Sequence, residues 1–305
     1  MSHRSRTAGV LVISSAALVP SIGGIGVAQA DPTLPASVTA LLDSGSAALG
    51  SSAPAPDAPR LASIDNFRDV AGTGPGYTGL AGRHVNKGLF YRANAIVPND
   101  ADLATLTGLK LSTVFDLRTD YEVTKKPDVL PGGVTYTRLP IGAGDYTTVL
   151  SQIKSVDDSR AFMQAMNRQF VTGEDVRTQF GTMLTDMATA TGPVVFHCTG
   201  GKDRTGWTSY LLLSIAGVDS KTIMDDYLLT NEYTKDSIAA SLATLHRIFG
   251  DAAANMAPLV GVEPSFLQAG IDQLTADYGT VDRYLTEGLK LSPQAILALK
   301  AKLLG

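Results

Sequence analysis

A single cysteine occurs in the 305 residues, Cys198, and it stands in the stretch PVVFHCTGGKDRTGWTSYLLL (193–213). Arg204 follows it with five residues between, among them Gly200 and Gly201, whose lack of a side chain lets a backbone curl without steric cost. In a curled segment that opens a helix, successive N–H groups and the unpaired N–H groups of the first helical turn converge on one concavity and attract an anion. The backbone from Thr199, Gly200, Gly201, Lys202 and Asp203 to Arg204 and Thr205 supplies such groups, and the planar fork of Arg204 matches two oxygens of a tetrahedral oxyanion. The same positive field favours thiolate over thiol at Cys198, making it a nucleophile at neutral pH. A phosphate monoester held there would present its phosphorus to the sulfur. The chemistry is then attack by Cys198, a phosphocysteine intermediate and its hydrolysis, with the loop and Arg204 stabilising charge in both steps. Thr205 can donate its hydroxyl to the sulfur and help it leave. His197, on the opposite side of the strand from the nucleophile, orients the loop and supports the thiolate.

That geometry depends on a strand before the loop and a helix after it. PVVFHC (193–198) is a β-branched and aromatic run of strand character, and RTGWTSYLLLSIAG is an amphipathic to fully apolar helix closed by Gly217. GLFYRAN (88–94), LSTVFDLR (111–118) and VTYTRLP (134–140) read as further strands, each bounded by Gly, Pro or polar residues. Between them, NDADLATLTGL, RAFMQAMNRQF and VRTQFGTMLTDMATA carry apolar residues at helical spacing, and the last hundred residues are mainly helical, with Ser292 as N-cap and Pro293 at the first helical position. Strands separated by helices predict an α/β fold, a central mostly parallel sheet flanked by helices, with a helical carboxyl-terminal part. Residues 142–172, from the Gly-rich GAGD through SRAFMQAMNRQFV, read either as a helical lid or as an ordinary core helix.

The amino-terminal part is separate. A basic start, MSHRSR, an apolar stretch interrupted by Pro20 and glycines, and AQA ending at Ala30 form an export signal cleaved after Ala30, so the protein is expected to be secreted. Pro20, Gly23, Gly24 and Gly26 would break a spanning helix, which argues against stable membrane insertion. Residues 31–59, rich in Ala, Ser, Gly and Pro, read as a linker, and the folded domain is expected over 60–305. The chain holds 25 basic and 29 acidic residues; removing Arg4, Arg6 and no acid leaves a net charge of −6, which disfavours a general nucleic-acid or membrane-surface binder. One cysteine permits no internal disulfide.

The complete HCTGGKDRTG matches the pattern H-C-x5-R-[ST] and resembles the protein tyrosine phosphatase superfamily. With NFRDVAG (66–72), GLFYRAN, VFDLRTDYEV and MDDYLLTNEY (224–233) in order over roughly residues 60–290, the chain is similar to the secreted bacterial tyrosine and lipid phosphatases of that superfamily. The resemblance implies the cysteine-dependent phosphatase fold, no metal and no cofactor. It implies action on phosphotyrosine proteins, with phosphoinositides as a second substrate class. It makes Cys198 the nucleophile and Arg204 the phosphate-binding arginine. Lys202 matches a loop lysine that meets a second phosphate in similar lipid phosphatases. The general acid stays open, because the WPD tripeptide of typical members is absent. Asp203, inside the loop, resembles the arrangement in myotubularin-like enzymes, although it could instead pair with a neighbouring cation. Asp116 ends a strand, where parallel sheets expose functional side chains. Arg68, Asp69, Arg92 and Arg118 read as structural ion-pairing residues more than as pocket residues. A catalytically silent phosphate-binding module is the competing class, and the intact set of Cys198, Arg204 and Thr205 weighs against it.

Overall fold

The four apolar runs all enter one sheet, joined by a fifth strand hidden in NFRDVAG. In the computed structural model, which describes residues 55–142 and 146–305, the strands are β1 (Arg68–Asp69), β2 (Phe90–Ala93), β3 (Thr113–Asp116), β4 (Thr135–Arg138) and β5 (Val194–His197). Their order is β1-β2-β5-β3-β4. β1 pairs antiparallel with β2, and every other pairing is parallel. β5 therefore sits in the middle, with His197 opposite Ala93 on one side and Asp116 on the other. The loop that leaves β5 emerges at the carboxyl edge of the sheet, between the ends of two neighbouring strands.

Side chains alternate across the sheet, as the two-residue period of a strand requires. Phe90, Phe115, Val194 and Phe196 face the larger core, while Tyr91, Val114 and Val195 face a smaller one with Ile64, Phe67, Ile96 and Leu106. The smaller core is covered by α1 (Asp100–Gly108), which Asn99 caps by accepting from the Asp102 N–H. Behind the loop runs α6 (Asp203–Ile215), buried at every position from Asp203 to Leu213. A helix buried on every side belongs inside a large core. Truncating its Trp207, which is fully buried between Phe170, Tyr210 and Tyr284, should cost about 3–5 kcal/mol.

The other longer α-helices are α2 (Asp120–Lys125), α3 (Tyr146–Gln152), α4 (Val156–Thr172), α5 (Glu174–Thr189), α7 (Ser220–Tyr233), α8 (Lys235–Phe249), α9 (Pro264–Tyr278) and α10 (Pro293–Leu304). Of the segment that sequence left open between lid and core, α4 belongs to the core. Met163, Met166, Phe170 and Val171 are buried, and the helix packs along α9. Residues 143–145 of the same segment lie outside the described residues. The more open helix is α8, none of whose residues is buried. The described residues belong to one compact unit. The expected export signal, residues 1–30, and residues 31–54 of the expected linker lie outside them. The last residues of that linker are described, and Asp57 accepts from Gly74 N at 2.8 Å and Lys87 Nζ at 2.7 Å. Among the described residues no helix is long and apolar enough to cross a membrane.

Candidate active site

Cys198 is the first residue beyond β5 and is 2% exposed. The following turn is possible only with glycine at 201. Its φ is +64°, and a Cβ there would collide with the Ala93 carbonyl at the end of β2. Lys202 then returns to right-handed backbone, φ −109° and ψ −62°, and α6 begins at Asp203. A left-handed residue followed by a right-handed one turns consecutive N–H groups toward one point, and the first turn of α6 adds donors that have no intrahelical partner. From within that turn the Thr205 hydroxyl reaches the Cys198 sulfur, Oγ1 to Sγ 3.3 Å. The fold thus brings the thiol and the Thr205 hydroxyl together at the start of α6.

Arg204 is 4% exposed and tied down through both terminal nitrogens. Nη1 donates to Glu122 Oε2 at 2.8 Å and to the carbonyls of Leu117 and Ile141 at 3.2 and 3.0 Å, while Nη2 donates to Glu122 Oε1 at 2.6 Å. The plane of the guanidinium is thereby fixed before any ligand arrives. Glu122 is a site residue that the sequence pattern does not single out. It lies on α2, whose amino terminus is a capping box: the Glu122 carboxylate accepts from Thr119 N at 2.9 Å, and Thr119 accepts in return from Glu122 N. It also accepts from the loop's own Thr199 hydroxyl at 2.6 Å. Burial pushes the Glu122 carboxyl up, but the Arg204 fork and the Thr199 hydroxyl prevail and hold it down at about 2. The T-x-x-E spacing in RTDYEV carries the capping signal; only the fold shows that the same carboxylate bridges helix and loop.

The two acid candidates occupy different surroundings. Asp203 is 6% exposed at the first position of α6; Oδ2 is 3.5 Å from Lys202 Nζ, and Oδ1 has no hydrogen-bond partner among the described residues. Asp116 is fully buried, and both its oxygens are filled: Oδ1 by Arg118 N and Nε at 2.9 Å each, Oδ2 by Arg118 Nη2 at 2.8 Å and the Tyr136 hydroxyl at 2.6 Å. Burial raises the Asp116 carboxyl, and Arg118, His197 and Tyr136 outweigh it, so the net shift is downward. An ionised carboxylate with every lone pair engaged has no proton to give, and the arrangement does not fit the acid role considered for Asp116. Arg118 also donates to Asp128 Oδ2 at 2.6 Å, and that oxygen is 3.2 Å from His197 Nε2. On its other side His197 Nδ1 is 3.3 Å from the Cys198 carbonyl oxygen, as an orienting residue behind the nucleophile should be.

Lys202 belongs to the loop, and its ammonium reaches away from it. It donates to the carbonyls of Leu259 and Gly261 at 2.6 and 3.0 Å, which closes a 3₁₀ segment (Gly250–Leu259) against the site. Thr199, Gly200 and Lys202 line a cleft of about 220 Å³ together with Asn94, Lys126, Ser237, Ser241 and Val260. Ser241 and Val260 also line a neighbouring groove of about 400 Å³, bounded by Leu150, Leu245 and Leu259 between α3 and α8. Arg68 and Arg92 meet on buried Asp226, at 3.2 Å each. Asp69 holds the turn before β2, accepting from Ala71 N and Gly88 N at 2.9 and 2.6 Å, with burial raising its carboxyl to about 6 against those bonds.

A thiol at the carboxyl end of a central parallel strand, an anion-cradling turn, and an arginine fixed at the start of a buried helix define a cysteine-dependent phosphoryl-transfer site on an α/β fold. Comparison with known proteins agrees with that class. Residues 59–305 match the model of the tyrosine phosphatase family, and the chain belongs to that family. It is 31% identical over 231 residues to a Cupriavidus necator protein that carries a tyrosine-protein phosphatase name, covering 75% of this chain and 82% of that protein. It is 26% identical over 279 residues to the triple specificity protein phosphatase PtpB of Mycobacterium tuberculosis, covering 79% of this chain and 96% of the other. A tyrosine-protein phosphatase of Nostoc commune is 29% identical over 214 residues, 67% of this chain and 70% of that protein.

Proposed function

We infer that the protein is a cysteine-dependent protein tyrosine phosphatase, and that Cys198, Arg204, Asp203 and the loop from Thr199 to Thr205 carry the reaction. One observation supports this most: the Cys198 sulfur, with the Thr205 hydroxyl on it, lies at the mouth of the same turn whose Arg204 fork is held rigid by Glu122. The thiolate attacks phosphorus, the P–O bond to the aryl oxygen breaks, and Asp203 gives its proton to that oxygen. Water then attacks the phosphocysteine, returning a proton to Asp203 and the electron pair to sulfur, with the Thr205 hydroxyl easing its departure. The loop N–H groups and Arg204 stabilise the equatorial oxygens in both steps.

Phosphotyrosine is favoured over phosphoinositide because the Lys202 ammonium, the group expected to meet a second phosphate, is engaged by two carbonyls. The basic start, apolar stretch and AQA of residues 1–30 support export, with cleavage after Ala30 and a mature protein of linker and phosphatase domain.

The test is phosphate release from a phosphotyrosine peptide and from phosphoinositides, with chelator present, for the native protein and Cys198→Ser. Turnover of the peptide that survives chelator and vanishes in the variant is expected. Full turnover by Cys198→Ser would exclude the mechanism.

A further inference from the structure

The Gly201 carbonyl is held by two side chains that come from a different part of the chain. It accepts from Asn66 Nδ2 at 2.6 Å and from Arg92 Nη2 at 2.9 Å. Both donors are buried, at 1% and 0% exposure, so neither is a chance surface contact. Each is fixed in turn. Arg68 Nη1 donates to Asn66 Oδ1, and Asp226 takes Arg92 Nη1 at 3.2 Å on one oxygen and Arg68 Nε with the Tyr77 hydroxyl, both at 3.2 Å, on the other. Asn66 has a φ of +59°, the left-handed region that side-chain-bearing residues rarely enter and that asparagine tolerates better than most.

Two features exceed what a tie between β1 and α7 requires. The Arg68–Asp226 pair alone would join those elements; a second, fully buried guanidinium leaves two arginines facing one carboxylate. Uncompensated buried charge is costly unless another anion shares the site. Burial and the charge of Arg68 pull Arg92 down to about 9, while Asp226 and Cys198 pull the other way, which places the catalytic sulfur within the field of this arginine. The second feature is the target. A trans peptide is planar, with its C=O and N–H pointing in opposite directions, so fixing the Gly201 oxygen fixes the Lys202 N–H on the opposite side.

We propose that Asn66 and Arg92 are positioning residues of the phosphate reaction: by anchoring the Gly201 carbonyl they hold the Lys202 N–H turned into the anion-binding concavity beside Cys198. This rests on the phosphatase reading above and names the device that keeps its loop organised when no phosphate is bound. Asn66 and Arg92 touch no reacting atom; they act through one peptide plane.

The test uses Asn66→Gly, which accepts the left-handed backbone and removes the donor to the Gly201 carbonyl together with the acceptor of Arg68 Nη1. Three quantities are compared with the native protein: kcat on a phosphotyrosine peptide, the inhibition constant of inorganic phosphate, and the shift of the Lys202 amide resonance on adding phosphate. Losing an oxyanion donor outright costs about 10²–10³ in kcat; releasing its peptide to rotate should cost about tenfold or more. Phosphate affinity should fall in parallel, and the Lys202 amide should lose most of its response. Arg92→Lys keeps the buried cation but gives up the fork and carries the same expectation, so it decides the matter if Asn66→Gly does not fold. A folded variant with native kcat, native phosphate affinity and a native Lys202 shift overturns the proposal while leaving the phosphatase reading intact. A native protein with no turnover overturns both.

Discussion

Two arginine–carboxylate clusters flank the Cys198 loop, made of the same side-chain types and put to different uses. Arg118 lies between Asp116 and Asp128 with its partners 0% and 3% exposed, and Tyr136 closes the last acceptor of Asp116. Arg204 meets Glu122, which keeps 20% of its side chain exposed and divides its oxygens among the arginine, a helix amino terminus and the loop's Thr199. A buried cluster whose Asp116 oxygens are filled by its own arginine and tyrosine fixes the ends of strands. A cluster that joins a nucleophile's loop to a neighbouring helix, near an open cleft, orients a side chain for something that arrives later. Charge and burial alone do not separate the two; the distribution of hydrogen bonds does.

The contrast breaks most sharply on paired substitutions of the two arginines. Arg204→Lys keeps the charge and removes the planar fork, so kcat/KM on a phosphotyrosine peptide should fall about 10³-fold, with a smaller loss of stability than at Arg118 because Glu122 stays partly exposed. Arg118→Lys should do the reverse: a loss of stability of about 3–5 kcal/mol, since buried carboxylates are left without full compensation, and a kcat within about tenfold of native in the folded fraction. Steady-state kinetics and denaturant unfolding on both variants provide the check. Equal kinetic losses would mean that Arg118 belongs to the site.

The carboxylates sharpen the same division with a smaller effect. Asp203→Asn should slow hydrolysis of substrates with poor leaving groups by about 10²–10⁴ and barely affect those with good ones, because a good leaving group needs no proton. Asp116→Asn should show no dependence on the leaving group and should lower stability instead. A leaving-group slope that changes in Asp116→Asn and not in Asp203→Asn would reverse the assignment of the acid.

Much of this is legible in the residues, and the remainder is hidden for identifiable reasons. The four long strands and the helix behind the loop are marked by β-branched runs, by helical spacing and by Gly217, all local signals. β1 is not, because Arg68–Asp69 is too short and too polar to look like a strand; it pairs only because β2 offers an edge. The thiol, the loop glycines and Arg204 are neighbours in sequence, so their geometry can be built from the turn itself. Glu122, Asn66 and Arg92 reach the loop through sheet order, across separations of 77, 135 and 109 residues. No spacing rule carries that. The same holds for Asp116: ending a parallel strand next to β5 makes it a reasonable acid, and the folded position of Arg118, two residues on, weighs against it.

Glu122 gives the smallest and most discriminating effect, because it appears as a dependence on pH. Its carboxyl moves from an ordinary 4.5 to about 2 on folding, burial acting upward and Arg204 and Thr199 prevailing downward. A depressed native value means that the ionised form stabilises the fold: the contribution is fully present above the unfolded value and is lost as the pH falls through the native one. Glu122→Gln removes that dependence. The stability gap between native protein and variant should therefore narrow by about 2 kcal/mol between pH 7 and pH 3, since each tenfold change in proton affinity between the unfolded and folded chain corresponds to roughly 1.4 kcal/mol. Urea unfolding at the two pH values measures it. The neutral amide still accepts from Arg204 but no longer balances its charge, so kcat should fall only about tenfold at neutral pH. If the gap stayed constant with pH, the Arg204–Glu122 pair would be as silent to protons as a surface contact, and the difference between the two clusters would have to be sought in packing rather than in charge.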